Sequence, residues 1–279
     1  MKFTKMHGLG NDFVVVNGFE EAVTDAERLT VEICNRRTGV GADGLIVIMP
    51  SKMAAFRMHY INSDGSLAEM CGNGIRCLSK YVYEHGLTRS TDFVVETLGG
   101  LNRQLLTVEN GRVVSVSVDM GKPKFMRSEI PMLGDDGMVV NEPIEVDGRR
   151  YRITALSTTN PHAVIFVDDV ERAPLCEVGP KLERHPAFPQ KTNVEFVQVI
   201  DRKNIRMRIW ERGCGETLAS GSGSSASAVA SIINGFTDRD VTVHVRLGQL
   251  RISWPEGGSI TMTGPATEVF TGEWPERRG

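Results

Sequence analysis

The sequence predicts an α+β protein made of two related halves, and three observations carry that expectation. The chain has 279 residues, long for one compact core and suited to two domains of about 140 residues each. Moved along itself by 149 positions, it aligns Phe56-Arg57-Met58-His59-Tyr60-Ile61 with Ile205-Arg206-Met207-Arg208-Ile209-Trp210. At the same offset Gly72, Gly74, Gly86 and Thr88 fall on Gly221, Gly223, Gly235 and Thr237, Leu98-Gly99 falls on Leu247-Gly248, and Asn11 falls on Asn160. Third, most apolar periodicity is strand-like, with about one long helix in each repeated segment. That combination is a mixed class, unlike the regular strand–helix alternation of a doubly wound sheet. Duplicated domains tend to pack as pseudo-symmetric halves with a cleft between them, which makes residues 1–120 and 121–265 the expected domains, with 266–279 packing back on the first.

Each element follows from a local signal. Residues 55–61 and 204–210 alternate and predict strands. Residues 73–85 place Ile75, Leu78 and Val82 on one helical face, and Gly86 follows as a C-terminal cap. Residues 222–234 are mostly Ser, Ala and Gly before Ile232-Ile233, as suits a helix packed closely on its neighbours, and Gly235 ends them in the same way. Residues 93–97 and 241–247 predict strands. Asn110-Gly111 between apolar alternations is a strong hairpin signal, and Glu256-Gly257-Gly258 a looser one.

Composition narrows the function. Lys and Arg number 32 against 35 Asp and Glu, a net charge of −3. So balanced a chain is not expected to hold nucleic acid or an anionic membrane by bulk electrostatics. No segment approaches the roughly 20 apolar residues of a membrane span, and Met1–His7 has no apolar run behind it, so no signal peptide is expected. Five cysteines, an odd number without a dense framework, predict reduced thiols in the cytoplasm. The 29 glycines are an excess that points to tight turns or to backbone lying close to a ligand.

The repeated element carries the chemistry. Each copy has a strand, a polar turn, then a reactive side chain immediately before Gly-x-Gly at a helix start. In the first copy that side chain is Cys71, and in the second it is Ser220. Amides at a helix N-terminus favour anions, and glycines let a ligand approach the backbone. A thiol at such a place is biased towards thiolate. Two such starts facing one cleft would cradle a carboxylate with a reactive group on each side. Rival assignments fit less well. No Gly-Lys-Ser/Thr follows Gly221-Ser222-Gly223, as a P-loop requires. Cys77 and Ala226 stand where a dinucleotide fingerprint needs its third glycine. Cys71 and Cys77 lack metal-ligand spacing, and the histidines are scattered, so no metal site is expected. Cys34, Cys77 and Cys176 are expected to be packing residues, and Gly39-Val40-Gly41-Ala42-Asp43-Gly44 a turn that could border the cleft.

These residues also carry a family resemblance. Met6-His7-Gly8-Leu9-Gly10-Asn11-Asp12-Phe13, the Gly39–Gly44 segment, Asn62-Ser63-Asp64-Gly65-Ser66 and Ala68–Cys77 resemble diaminopimelate epimerase. So do Asn160-Pro161-His162, Thr192-Asn193-Val194-Glu195-Phe196 and Glu211–Ala219. The resemblance runs in one order from the first residues to about Pro265. It implies two pseudo-symmetric domains, each a β-barrel-like sheet around a central helix, with the active site in the interdomain cleft. It also implies interconversion of LL- and meso-diaminopimelate without pyridoxal phosphate, metal or other cofactor, on the route to lysine and peptidoglycan, by a cytoplasmic homodimer. One catalytic group removes the α-proton while its partner returns one on the opposite face, and the first matches Cys71. Asn11, Asn62, Asn160, Asn193, Glu211 and Arg212 match positions that hold the substrate's charged ends. Gly72-Asn73 and Gly221-Ser222 match the helix starts that grip the carboxylate at the reacting centre, and His162 matches a histidine that helps set thiol protonation, with Glu211 also supporting. The chemistry agrees: without an electron sink, an α-carbanion needs electrostatic stabilisation in a dry site. Glu211 suits an ammonium, and Arg212 suits a carboxylate held bidentately.

The chain departs from the family's pattern at one place. The second catalytic cysteine belongs where Ser220 stands, and a hydroxyl is a far weaker acid than a thiol of pKa about 8.5. Cys214, six residues earlier, is not its equivalent. Ser220 therefore implies reduced two-way epimerisation. Several accounts stay open here. The chain is a Cys→Ser variant that traps substrate, an epimerase with a Ser/Cys pair acting on this or another amino acid, a divergent member doing one-sided elimination, or a non-catalytic diaminopimelate-binding protein.

Overall fold

A computed structural model describes residues 1–275. In chain order the elements are β1 (Lys2–Gly8), β2 (Asn11–Asn17), α1 (Ala26–Ile33), β3 (Gly44–Met49), β4 (Phe56–Asn62), α2 (Gly72–Glu84), β5 (Asp92–Thr97), β6 (Gly100–Glu109) and β7 (Arg112–Asp119). There follow β8 (Val139–Val146), β9 (Arg149–Ser157), β10 (Pro161–Phe166), α3 (Leu175–Glu183), β11 (Asn193–Asp201), β12 (Asn204–Glu211) and β13 (Gly215–Thr217). The last are α4 (Gly221–Ile233), β14 (Asp240–Val245), β15 (Gly248–Ser253), β16 (Thr261–Gly264) and β17 (Thr267–Glu273). The chain divides into two compact units, Met1–Val118 with the stretch from Gly264 onward, and Asp119–Thr263. Of the C-terminal segment expected on the first domain, residues 276–279 lie outside the described residues.

In the first unit the strands run in the order β17–β1–β2–β3–β4–β5–β6–β7. Two neighbouring pairs, β2–β3 and β4–β5, are parallel. Parallel neighbours need a long crossover, which α1 and α2 supply. Strands β2 (NDFVVVN) and β3 (GLIVIM) are apolar almost throughout because they are covered on both faces. One face meets α2, which packs against β1, β2, β3, β4 and β6 through buried Ile75, Leu78 and Val82. The other carries Phe3, Val14, Val16, Leu45 and Val47 with Ile33 of α1. Helix α2 is thus the central helix of a curled mixed sheet, and Gly86 (φ 77°) ends it in a conformation that favours glycine. The turn at Asn110-Gly111 has φ of 50° and 76°, the two-residue hairpin geometry.

The second unit repeats this plan as β8–β9–β10–β11–β12–β14–β15–β16, with β10–β11 and β12–β14 parallel. Helix α4 packs against β9, β10, β11, β12, β14 and β15. Its serines are buried without being wasted. Ser225 and Ser231 donate to the carbonyls of Gly221 and Ser227, and Ser227 donates to Met207 Sδ. On the far face α3 adds Leu175, Val178 and Leu182 to Ile153, Ile165, Val194 and Phe196. Gly179 is required there, because a Cβ would lie 2.7 Å from Trp210 Cβ.

The 149-residue offset holds at the level of pairing. Phe13 opposes Gly44 where His162 opposes Asn193, and α2 and α4 start at Gly72 and Gly221. It fails after the helices. The β5–β6 turn pairs Thr97 with Gly100, whereas the β14–β15 turn pairs Val245 with Gly248. The identity of Leu98-Gly99 with Leu247-Gly248 is therefore not a structural equivalence, since the second copy is one residue shorter between helix and strand. No helix among the described residues is long and apolar enough to cross a membrane.

Candidate active site

Cys71 and Ser220 are the N-cap residues of α2 and α4. Both have extended backbones, with φ, ψ of −137°, 113° and −133°, 128°. Each side chain accepts from the amide three residues on: Gly74 N lies 3.4 Å from Cys71 Sγ, and Gly223 N lies 3.2 Å from Ser220 Oγ. The second glycine of each Gly-x-Gly also lets the helix start sit close on the sheet. A Cβ on Gly74 would lie 3.0 Å from Ile46 Cδ1 and Met58 Cε, and one on Gly223 would lie 2.5 Å from Ile209 Cδ1. The first helical amides lack intrahelical acceptors and bias each start towards an anion such as a carboxylate.

In the first unit Asn11 organises the surroundings of Cys71. Its Oδ1 accepts from Cys71 Sγ (3.6 Å) and from Asn73 Nδ2 (3.2 Å), while its Nδ2 donates to Asp43 Oδ2 (2.7 Å). Asp43 is held in turn by Arg36 (2.7 Å), which also bridges to Asp12 (2.7 Å), and Lys5 donates to Asp12 (2.6 Å). Burial pushes the Asp12 carboxyl up, but its bonds to Arg36 and Lys5 outweigh this and draw it down to about 2. Asn62, the last residue of β4, donates to Ser66 Oγ (3.0 Å) within its own turn. The segment Gly39–Gly44, expected as a turn, is a loop that delivers Asp43 to Asn11. Sequence reasoning missed that role, and the one signal was an acidic residue held just before a strand.

In the second unit the predicted residues converge beside Ser220. Asn193 donates to the Pro161 carbonyl (2.8 Å) and accepts from the Arg212 amide (2.9 Å), so it ties β10 to the end of β12. The Glu211 carboxylate accepts from the Thr217 hydroxyl, and the Ser220 hydroxyl beside it also draws its pKa down. Burial nevertheless holds its pKa above the usual carboxylate range, against the opposing pull of those two hydroxyls. Arg212 stands exposed, with Nη1 donating to the Gln190 carbonyl (3.0 Å). No salt bridge engages Glu211 or Arg212 among the described residues, so both can meet the charges of a zwitterion. Ser222 Oγ lies 3.4 Å from Ser220 Oγ. His162 is wholly buried, with Nε2 2.7 Å from Asn160 Oδ1 and Nδ1 2.6 Å from Oε1 of Glu195, itself wholly buried. Thr159, just before Asn160, has φ of 112°, a strained conformation for a β-branched residue.

The other cysteines separate by exposure. Cys34 and Cys77 are buried as expected, and burial pushes each thiol up to about 12. Cys176, expected in packing, is instead exposed at the start of α3, 3.5 Å from Glu216 Oε2. The face of that short helix turned to the core is taken by Leu175, Val178 and Leu182.

Comparison with known proteins supplies the family. The diaminopimelate epimerase family profile matches residues 3–126 and 154–269. The diaminopimelate epimerase of Pelotomaculum thermopropionicum is 54% identical over 279 residues, covering 99% of this chain and 100% of that protein. That of Moorella thermoacetica is 53% identical, covering 99% of each. Among solved structures, a Bacillus anthracis phenazine biosynthesis protein of the PhzF family superposes with a TM-score of 0.73 at 17% identity, over 99% of both chains. A probable proline racemase from Agrobacterium radiobacter superposes with a TM-score of 0.72 at 15% identity, over 98% of this chain and 92% of its own. Those two share the fold. With full-length relatives at more than half identity and both duplicated helix starts in place, this chain belongs to the diaminopimelate epimerase family.

Proposed function

We propose that this protein interconverts LL- and meso-diaminopimelate by proton transfer at the α-carbon without a cofactor, with Cys71 and Ser220 as the paired acid/base groups. The observation that carries this is the equivalence of the two N-caps, each holding its reactive atom against the amide of the third helical residue. Inversion requires a proton to leave one face of the carbon and another to arrive on the opposite face. Helix-start amides at Gly72-Asn73 and Gly221-Ser222 stabilise the carboxylate as charge develops. Asn11, Asn62, Asn160, Asn193, Glu211 and Arg212 hold the remaining charged ends, with Glu211 on an ammonium and Arg212 on a carboxylate. The Glu211 carboxylate beside the Ser220 hydroxyl, held by burial above the usual carboxylate range, favours a working Ser/Cys pair over a non-catalytic binder, because Glu211 can take the hydroxyl proton as the hydroxyl acts. The expected rate is below that of a two-thiol enzyme. The product would serve lysine and peptidoglycan precursor synthesis in the cytoplasm.

The test is solvent-deuterium exchange at the α-carbon with LL- and meso-substrate separately, with Ser220→Cys as comparison. Exchange and inversion from both isomers, faster in Ser220→Cys, is the expected result. Tight binding without exchange from either isomer would overturn the catalytic assignment. The homodimer that family membership suggests is tested by the solution mass of Val269→Lys, since Val269 and Phe270 stand exposed on β17. A wild-type mass of one chain would refute it.

A further inference from the structure

The half-site around Ser220 holds a buried carboxylate that the proposed reaction leaves without a role. Glu195 is wholly buried in β11, with Oε1 2.6 Å from His162 Nδ1. Its other oxygen, Oε2, is buried and has no hydrogen-bond partner among the described residues. A carboxylate kept only for folding is expected to satisfy both oxygens, because an orphaned buried acceptor is costly. The duplication shows the cheaper solution. The residues standing at the places of His162 and Glu195 in the first unit are Phe13 and Ile46, an apolar pair, both fully buried. Glu195 also lies against the first turn of α4. A Cβ added to Gly223 would be 3.1 Å from Glu195 Oε1 and 3.3 Å from Ser220 Cβ.

We propose that Glu195 is a positioning residue of the Ser220 half-site: its carboxylate holds a proton on Nδ1 of His162 and so fixes the tautomer and orientation of that imidazole. This rests on the assignment of Ser220 and Glu211 to the reaction. With Nδ1 donating to Glu195, the far nitrogen Nε2 is presented to Asn160, one of the residues assigned to substrate. Both ring nitrogens then face oxygens, Nδ1 the Glu195 carboxylate and Nε2 the Asn160 side-chain amide. The charged groups facing Glu195 are few. His162 comes from β10 and Glu211 from β12, α4 has no ionisable side chain, and Glu183 of α3 is engaged by Trp210 Nε1 and the Gly213 amide. His162 also acts on Glu211, the carboxylate beside Ser220, by opposing the burial that drives Glu211 towards its neutral form. Burial alone drives Glu195 towards its neutral form, and His162 opposes that.

The experiment uses the full chain with ¹⁵N-labelled histidine, the His162 signals being assigned by their loss in His162→Gln. The expected result is a protonated Nδ1 in the wild type whose strongly downfield proton disappears in Glu195→Gln. With diaminopimelate as substrate, kcat in Glu195→Gln falls by about ten- to a hundredfold, the equivalent of one hydrogen bond to a charged group, while KM stays within about twofold. Glu195→Asp recovers part of the rate. A second variant, His162→Phe with Glu195→Ile, copies Phe13 and Ile46. It should fold with an undiminished Tm and still lose the rate. An unprotonated Nδ1 in the wild type, an unchanged signal in Glu195→Gln, or full activity in the double variant would overturn the proposal. The ring signal needs no substrate, so it decides the role of Glu195 even if the chain epimerises nothing.

Discussion

Replacing Asp12 by Asn removes the carboxylate that joins Lys5 of β1 to Arg36 in the network holding Asn11. The folded structure draws this carboxyl from 3.8 to about 2, and at about 1.4 kcal/mol per pKa unit that corresponds to about 2 kcal/mol. The Arg36 side chain is 59% exposed, so water and salt screen its share, and about 1 to 2 kcal/mol is the expected loss at pH 7. Lys5 pushes towards the upper end. Its side chain is 9% exposed and would keep only neutral acceptors such as the Gly41 carbonyl, and a buried charge left without its counterion is costly. The sign with pH follows from a depressed carboxyl. Its stabilisation is complete above the unfolded value of about 4 and is lost as pH falls through about 2. Urea unfolding of wild type and Asp12→Asn, followed by circular dichroism at pH 7, 5, 4 and 3, measures the difference. It should stay constant from pH 7 to 5 and shrink by pH 3. A difference as large at pH 3 as at pH 7, or no difference at pH 7, refutes the electrostatic account.

Three further outcomes are expected. Asp43→Ala frees the Asn11 amide, so KM for diaminopimelate should rise by about tenfold, the equivalent of one hydrogen bond to a charged group, and an unchanged KM would remove Asn11 from substrate binding. Iodoacetamide at pH 8 should leave Cys34 and Cys77 unmodified, since a thiol at about 12 is only about one part in ten thousand thiolate. Mass spectrometry should find the label on exposed Cys176 and Cys214, and activity should fall only as Cys71 is labelled. Thr159→Gly relieves a φ of 112° and should stabilise the protein by about 1 kcal/mol, net of the extra chain entropy of glycine, so a lower Tm would show that Thr159 is not strained.

Much of the site was legible because its signals are local. Cys71 and Ser220 announce themselves by the glycines that follow, since an N-cap needs only its own backbone and the next three residues. Gly86, Gly235 and Asn110-Gly111 are legible for the same reason, as positive φ is a property of one or two residues. Asp147-Gly148, with φ of 51° and 72°, carries the same signal between β8 and β9 and passed unused. Helices α1 and α3 gave no comparable sign. The first has eight residues and no side-chain cap, and the second contains Gly179 and Pro180. Packing on the outer faces of the sheets makes them helical, against weak intrinsic propensity.

By itself the sequence determined the duplication, the two helix starts and the side chain that caps each, because periodicity, caps and turn residues act over a few neighbouring positions. Only the tertiary structure decided what surrounds those side chains. Asp43 reaches Asn11 across 32 residues and Glu195 reaches His162 across 33, through parallel strand pairings set by burial on both sheet faces. The same pairings place an apolar couple in one half and an ionisable couple in the other. Which side chains share a buried, low-dielectric space depends on strand register, and register depends on the whole core.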